Sequence, residues 1–280
     1  MVLSVEQLLN LNVVDSDIQD IKSYTVLTTR PDLRSKNNNI TKKINVWSLQ
    51  EETNKHTWKF DDFDYNISSL GFRDRELSSH ITLAAFGCSY TFGQGLPENK
   101  IWHRLLDEES YNFGQPGASI KSITDIFAII SKHIKIKNAV FLLPSYLRQL
   151  VAAEKLYDSN VNLIPVLPNY NGMFQQDYNI QTDSYYKYMP DIELLRRMKD
   201  DLYMLDFLSK IHDIKTYVSS WDRPTYNHIN SMSFNNLKVL PEWTSPNIEK
   251  DKQDLARDRF HPGMSHHKYW AEQIQDIVCK

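Results

Sequence analysis

Three short segments of the chain hold the residue types that acyl transfer from a hydroxyl nucleophile requires. Gly87-Cys88-Ser89-Tyr90-Thr91-Phe92-Gly93-Gln94-Gly95 follows an apolar run and offers a serine as nucleophile. Asn112-Phe113-Gly114-Gln115-Pro116-Gly117-Ala118-Ser119 offers glycines, whose backbone N–H groups can approach a ligand with no Cβ in the way. Asp258-Arg259-Phe260-His261-Pro262-Gly263 sets a carboxylate and an imidazole three residues apart, so that the acid can orient the base. Each segment also has a plainer reading: a strand-to-loop turn in which Ser89 only caps a helix, a loop with a helix cap, and a surface turn.

Two competing chemistries use the same residues. Cys88 is intrinsically the better nucleophile, but successive side chains near a strand end face opposite ways, so only one of Cys88 and Ser89 faces a pocket. His261, His266 and His267 with Asp258 have no zinc-type spacing, and the adjacent His266 and His267 read as solvated or capping side chains. No metal and no cofactor is expected.

These segments need elements to hold them. The chain has eight glycines in 280 residues, and five of them fall between 87 and 117, which marks a place of unusual backbone geometry. Apolar runs at 81–86 and 139–144 read as buried strands, with further strands at 111–113 and 214–221. Helical spacing predicts helices over 98–109, 119–134 (with Ser119 as N-cap), 191–212 and 264–278. Alternating strands and helices predict an α/β domain with a parallel sheet. Sites in such sheets lie beyond the carboxyl ends of the strands, so the residues after 86, 113, 143 and 221 should converge.

Residues 1–80 read as an N-terminal appendage, mixed and partly strand, with a short helix from Val5 to Ile21 and a run of aromatics at 45–67. Residues 81–280 form the α/β domain. Within it, 157–190 is an irregular, tyrosine-rich insertion or lid.

Composition excludes several classes. Hydrophobic residues are 41% and charged residues 24%, ordinary for a folded domain. With 32 basic and 35 acidic side chains the net charge is −3, without the basic footprint of a nucleic-acid binder. Two cysteines far apart give no disulfide framework. No apolar run approaches 18 residues, and the first residues lack the basic and apolar regions of a signal peptide. The expectation is a cytoplasmic protein with no membrane or nucleic-acid partner.

Taken together and in this order, the three segments resemble the SGNH/GDSL hydrolase family over roughly residues 81–278. The stretch Asn66-Ile67-Ser68-Ser69-Leu70-Gly71-Phe72-Arg73 also resembles a segment that often precedes this domain in longer members. The resemblance implies a three-layer α/β/α, flavodoxin-like sandwich around a central parallel sheet. It implies a catalytic triad of Ser89, His261 and Asp258, with an oxyanion hole from the backbone N–H groups of Ser89 and Gly117. The implied activity is that of a serine esterase cleaving an acyl ester, an acetyl group on a small molecule or glycan being the natural substrate. Two departures stand out. Cys88 occupies the place of the family's aspartate before the serine. After the third strand, where the family has glycine and asparagine, the chain reads Leu143-Pro144-Ser145-Tyr146-Leu147-Arg148. Losing one oxyanion donor costs about 10²–10³ in rate. Ser145 and Arg148 are the substitute donors within reach in sequence. The alternative is a catalytically weak or inactive binding or structural protein on this fold, or an O-acyltransferase.

Overall fold

The computed structural model describes residues 41–43, 63–152, 163–166, 189–243, 254–256 and 261–280. At its centre is a five-stranded, all-parallel sheet in the order β4-β3-β5-β8-β9, built from β3 (His80–Gly87), β4 (Ser110–Gly114), β5 (Lys135–Leu143), β8 (Lys215–Ser220) and β9 (Leu237–Val239). Two short antiparallel pairs lie outside it: β1 (Thr41–Lys43) with β2 (Asp64–Asn66), and β6 (Gln149–Ala152) with β7 (Leu163–Val166).

The central strands are apolar on both faces because both faces are covered. Along β3 and β5, Ala84, Phe86, Ala139, Phe141 and Leu143 point to one side. There they meet α2 (Ile120–His133) and α3 (Asp191–Ile211) through Ile123, Phe127, Ile130, Met198, Leu202 and Leu205. Leu83, Ala85, Val140 and Leu142 point to the other side, against Trp102 and against Trp270, Ala271 and Ile274 of α5 (Met264–Val278). The architecture is therefore a three-layer α/β/α sandwich. Register is reinforced by an aromatic row across three strands: Phe86 stacks on Phe113 at 4.7 Å and on Phe141 at 4.8 Å, both nearly parallel. Such pairs each contribute about 0.5–1.5 kcal/mol beyond burial.

The predicted helix over 98–109 is replaced by two 3-10 turns, Glu98–Lys100 and Trp102–Leu105, separated by an extended Ile101. The backbone N–H of Trp102 donates to His267 Nδ1 at 3.1 Å instead of to a helical carbonyl. Ile101 and Trp102 are fully buried against α5. The one-sided apolar pattern reflects that packing and not a 3.6-residue period. The helix predicted from 119 does form, with a capping box in which Ser119 Oγ accepts from Ser122 N–H. Four elements carried no sequence expectation: α4 (Arg223–Asn230), N-capped by Asp222, the edge strand β9, and the pair β6 and β7, of which β7 falls within the stretch expected to be irregular.

The core also runs across the expected boundary at residue 80. Leu70, Phe72 and Leu77 belong to the same buried cluster as the strands, so these residues are built into the α/β body. The expected helix at 5–21 and most of 157–190 lie outside the described residues. No helix among those described is long and apolar enough to cross a membrane.

Candidate active site

The strand register brings the sequence segments to one edge of the sheet. Gly87 lies opposite Gly114 of β4 and Leu142 of β5, and Leu143 lies opposite Ser220 of β8. The loops that leave these strands therefore start side by side. The first enters a single helical turn, α1 (Ser89–Phe92), laid directly on the strand ends. That approach requires glycine: a Cβ on Gly114 would stand 2.2 Å from the Phe92 nitrogen, and one on Gly87 would stand 2.6 Å from the Leu142 carbonyl oxygen.

Both Cys88 and Ser89 lie past the end of β3, Cys88 as the residue before α1 and Ser89 as its first residue. Cys88 is fully buried in the sheet core, where its sulfur accepts a hydrogen bond from Trp221 Nε1 at 3.2 Å. Ser89, the first residue of α1, is 6% exposed, and its hydroxyl lies 3.9 Å from the Cys88 sulfur. Its carbonyl accepts from the N–H groups of Gly93 and Gln94 at 2.9 and 3.1 Å, which fixes the Ser89 peptide. Its own N–H makes no hydrogen bond to another described residue.

After β4 the chain turns through Gln115-Pro116-Gly117-Ala118. Ala118 N–H returns to Gln115 C=O at 3.0 Å and Gly117 has φ +83°, the arrangement of a type II turn, which needs glycine at its third position. Gln115 N–H donates to Gly87 C=O at 2.9 Å, tying the turn to the strand that leads to Ser89. The Gly117 N–H, like that of Ser89, makes no hydrogen bond to another described residue.

His261 approaches from the far end of the chain. Residues 254–256 and 261–263 run antiparallel, with a bridge between Leu255 and Pro262 and Ala256 N–H donating to His261 C=O at 2.9 Å. Asp254 closes this hairpin onto α5, its Oδ2 accepting from Ser265 N–H at 2.7 Å. The His261 ring is largely buried and stands edge-on to Tyr90, the residue after Ser89, with centroids 5.8 Å apart. Asp258 lies outside the described residues.

His266 and His267 correct the expectation of solvated or capping side chains, for both are buried on α5. His267 accepts the Trp102 N–H. Burial, reinforced by the nearby His266 and His261, lowers its pKa from 6.5 to about 3, so it is a neutral structural acceptor.

The two substitute donors follow β5. Ser145 is buried, and its hydroxyl oxygen accepts from Leu147 N–H at 3.3 Å. Arg148 reaches across to the second segment: its Nη1 donates to Ala118 C=O at 3.4 Å, and its guanidinium carbon lies 5.6 Å from the Trp221 ring centroid. Trp221 in turn packs on Tyr90 at 4.8 Å.

Two contributors were not singled out from sequence. Trp221 links Cys88, Tyr90 and Arg148, and only the strand register shows it to be at the site. Arg73 is wholly buried. Its Nη1 donates to the Phe92 and Gly93 carbonyls at 2.9 and 2.6 Å, and its Nη2 donates to Leu96 C=O at 2.7 Å. Its guanidinium carbon also sits 4.1 Å from the Tyr65 ring centroid. The upstream segment thereby clasps the loop that follows Ser89.

No family model and no curated protein matches the chain. Among the solved structures similar to it are a lipolytic protein and an esterase. One is described as a lipolytic protein of the G-D-S-L family from Desulfitobacterium hafniense DCB-2, at 12% identity and a TM-score of 0.42, covering 72% of this chain and 100% of that one. The other is the psychrotrophic esterase EstA from Pseudoalteromonas sp., in a structure inhibited by monoethylphosphonate, at 12% identity and a TM-score of 0.43, covering 70% of this chain and 94% of that one.

Proposed function

We propose that the protein is a serine hydrolase that cleaves an acyl ester, with an acetyl group on a small molecule or glycan as the expected substrate. Ser89 Oγ attacks the ester carbonyl, while His261 takes its proton and returns it to the leaving alcohol. Asp258, three residues before His261, holds the imidazole in the required tautomer. The N–H groups of Ser89 and Gly117 receive the charge that develops on the carbonyl oxygen. Water then hydrolyses the acyl-enzyme.

The observation that carries this reading is the pairing of His261 with Tyr90. It sets an imidazole from the last segment of the chain beside the residue that follows Ser89. The backbone donors at Ser89 and Gly117, which meet no acceptor among the described residues, support it further. One observation favours a non-catalytic binding protein instead: the Ser89 hydroxyl donates to the Cys88 sulfur, at 3.9 Å. Release of acetate from small acetyl esters decides between them. The esterase reading expects turnover by the wild type and none by Ser89→Ala; absence of turnover by the wild type overturns it.

A further inference from the structure

Arg148 is a half-buried cation beside the turn that carries Gly117. Among the described residues no carboxylate lies within ion-pair distance of it. Its Nε is buried with no hydrogen-bond partner, and Nη1 makes only the 3.4 Å bond to Ala118 C=O. The acid next to Trp221 is spent elsewhere: Asp222 Oδ2 accepts from Thr225 N–H at 3.0 Å and from Thr225 Oγ1 at 2.6 Å, capping α4. The Trp221 face offers a weak cation–π contact and no counter-charge. The same turn holds Gln115, 2% exposed, whose carboxamide oxygen and nitrogen are both buried without a partner.

A partly desolvated charge is costly unless an anion meets it. This one stands between the turn that carries Gly117, through Ala118 C=O, and the tryptophan that packs on Tyr90, the residue after Ser89. We propose that Arg148 binds a negative charge on the substrate. The ester taken here is then an acidic one, with a carboxylate on the alcohol that leaves, as in an O-acylated acidic sugar as opposed to a neutral one. A guanidinium suits that task because its planar fork matches a carboxylate with two parallel hydrogen bonds. This inference rests on Ser89 being the nucleophile, and the test separates the two ideas.

Two probes of one shape are compared, 4-acetoxybenzoate and its methyl ester, each rate divided by the uncatalysed hydrolysis of the same probe. The wild type is expected to prefer the acid by about 10-fold or more in kcat/KM, the size of one hydrogen-bonded charge pair. Arg148→Met should erase the preference, chiefly through KM, with Arg148→Lys in between, and added salt should shrink it. Equal preference in wild type and Arg148→Met overturns the proposal. So does a parallel fall of kcat on both probes, which would make Arg148 an oxyanion donor. Binding of 4-hydroxybenzoate, followed by calorimetry on both proteins, is the second readout. Arg148-dependent binding without cleavage of either ester upholds this assignment and removes the esterase. Cleavage of both esters with neither preference nor Arg148-dependent binding upholds the esterase and removes this assignment.

Discussion

The indole N–H of Trp221, at the carboxyl end of β8, donates to the sulfur of Cys88 at the carboxyl end of β3, 3.2 Å away. The bond spans the end of β5 and holds the thiol in the core, where the hydroxyl of the next residue, Ser89, also donates to the sulfur at 3.9 Å. The native protein should therefore show one thiol that reacts with a disulfide reagent, the partly exposed Cys279, while Cys88 reacts only on unfolding. Cys88→Ala should still be modified at Ser89 by a serine-directed reagent. Fast reaction of Cys88 in the folded protein would contradict this arrangement.

Arg73 is the main tie between the upstream segment and the loop after α1. Replacing it with Met leaves three buried carbonyls without their charged donor. The expected loss is about 2–5 kcal/mol in urea denaturation, since a buried carbonyl stripped of its donor costs about 1–3 kcal/mol and the Gly93 carbonyl keeps the Leu96 N–H. Arg73→Lys should recover part of it, since an ammonium cannot span all three carbonyls. A loss below about 1 kcal/mol would mean that the loop holds its shape unaided.

Gly117 and Gly114 should fail differently when changed to alanine. At Gly117 the φ of +83° is a backbone penalty of about 1–2 kcal/mol, and any shift of its N–H should lower acyl transfer by up to about 10²–10³. At Gly114 the new Cβ meets backbone nitrogen, which cannot move without lifting α1, so folding itself should suffer. Denaturation midpoints and turnover, measured on both variants, separate the two.

Much of this was legible in the sequence for physical reasons. Buried strands such as 81–86 are short apolar runs, and α5 was bounded correctly at 264–278 because its apolar positions keep helical spacing. The segment from Glu98 was misread because Ile101 and Trp102 are buried by contact with α5, a tertiary cause that mimics helical periodicity. α4 had a readable start, Asp222 followed by Pro224, but only eight residues of weak pattern. At the candidate site, Ser89, Gly117 and His261 stand out in the sequence because serine, glycine and histidine announce their chemistry. Trp221 and the Arg73 clasp could not, since they act through strand register and through contacts between distant segments.

Acid should destabilise the protein through its buried histidines. Burial lowers the pKa of His267 to about 3; burial and then Arg104 lower that of His103 well below its ordinary value. Below about pH 6.5 the unfolded chain takes up protons that the folded one refuses, so stability falls as pH drops from there toward 3. The slope is about 1.4 kcal/mol per pH unit for each histidine. His267→Gln, which keeps an acceptor for Trp102 N–H, should lose less stability between pH 7 and 5 than the wild type. Asp201 has the opposite sign. Burial first, with Asp125 and Asp200 adding to it and Lys121 opposing, raises its pKa from 3.8 to about 7. Its contribution is present at acid pH and is lost as pH rises through 7, so Asp201→Asn should gain on the wild type over that range. Urea denaturation at several pH values checks both.

The central claim is that Ser89 is an activated nucleophile beside His261. A fluorophosphonate reagent followed by peptide mass spectrometry tests it most directly. The account predicts a single phosphonyl adduct on Ser89 in the wild type, none in Ser89→Ala, and sharply slowed labelling in His261→Ala. An unlabelled wild type, or an adduct on any other residue, would contradict it.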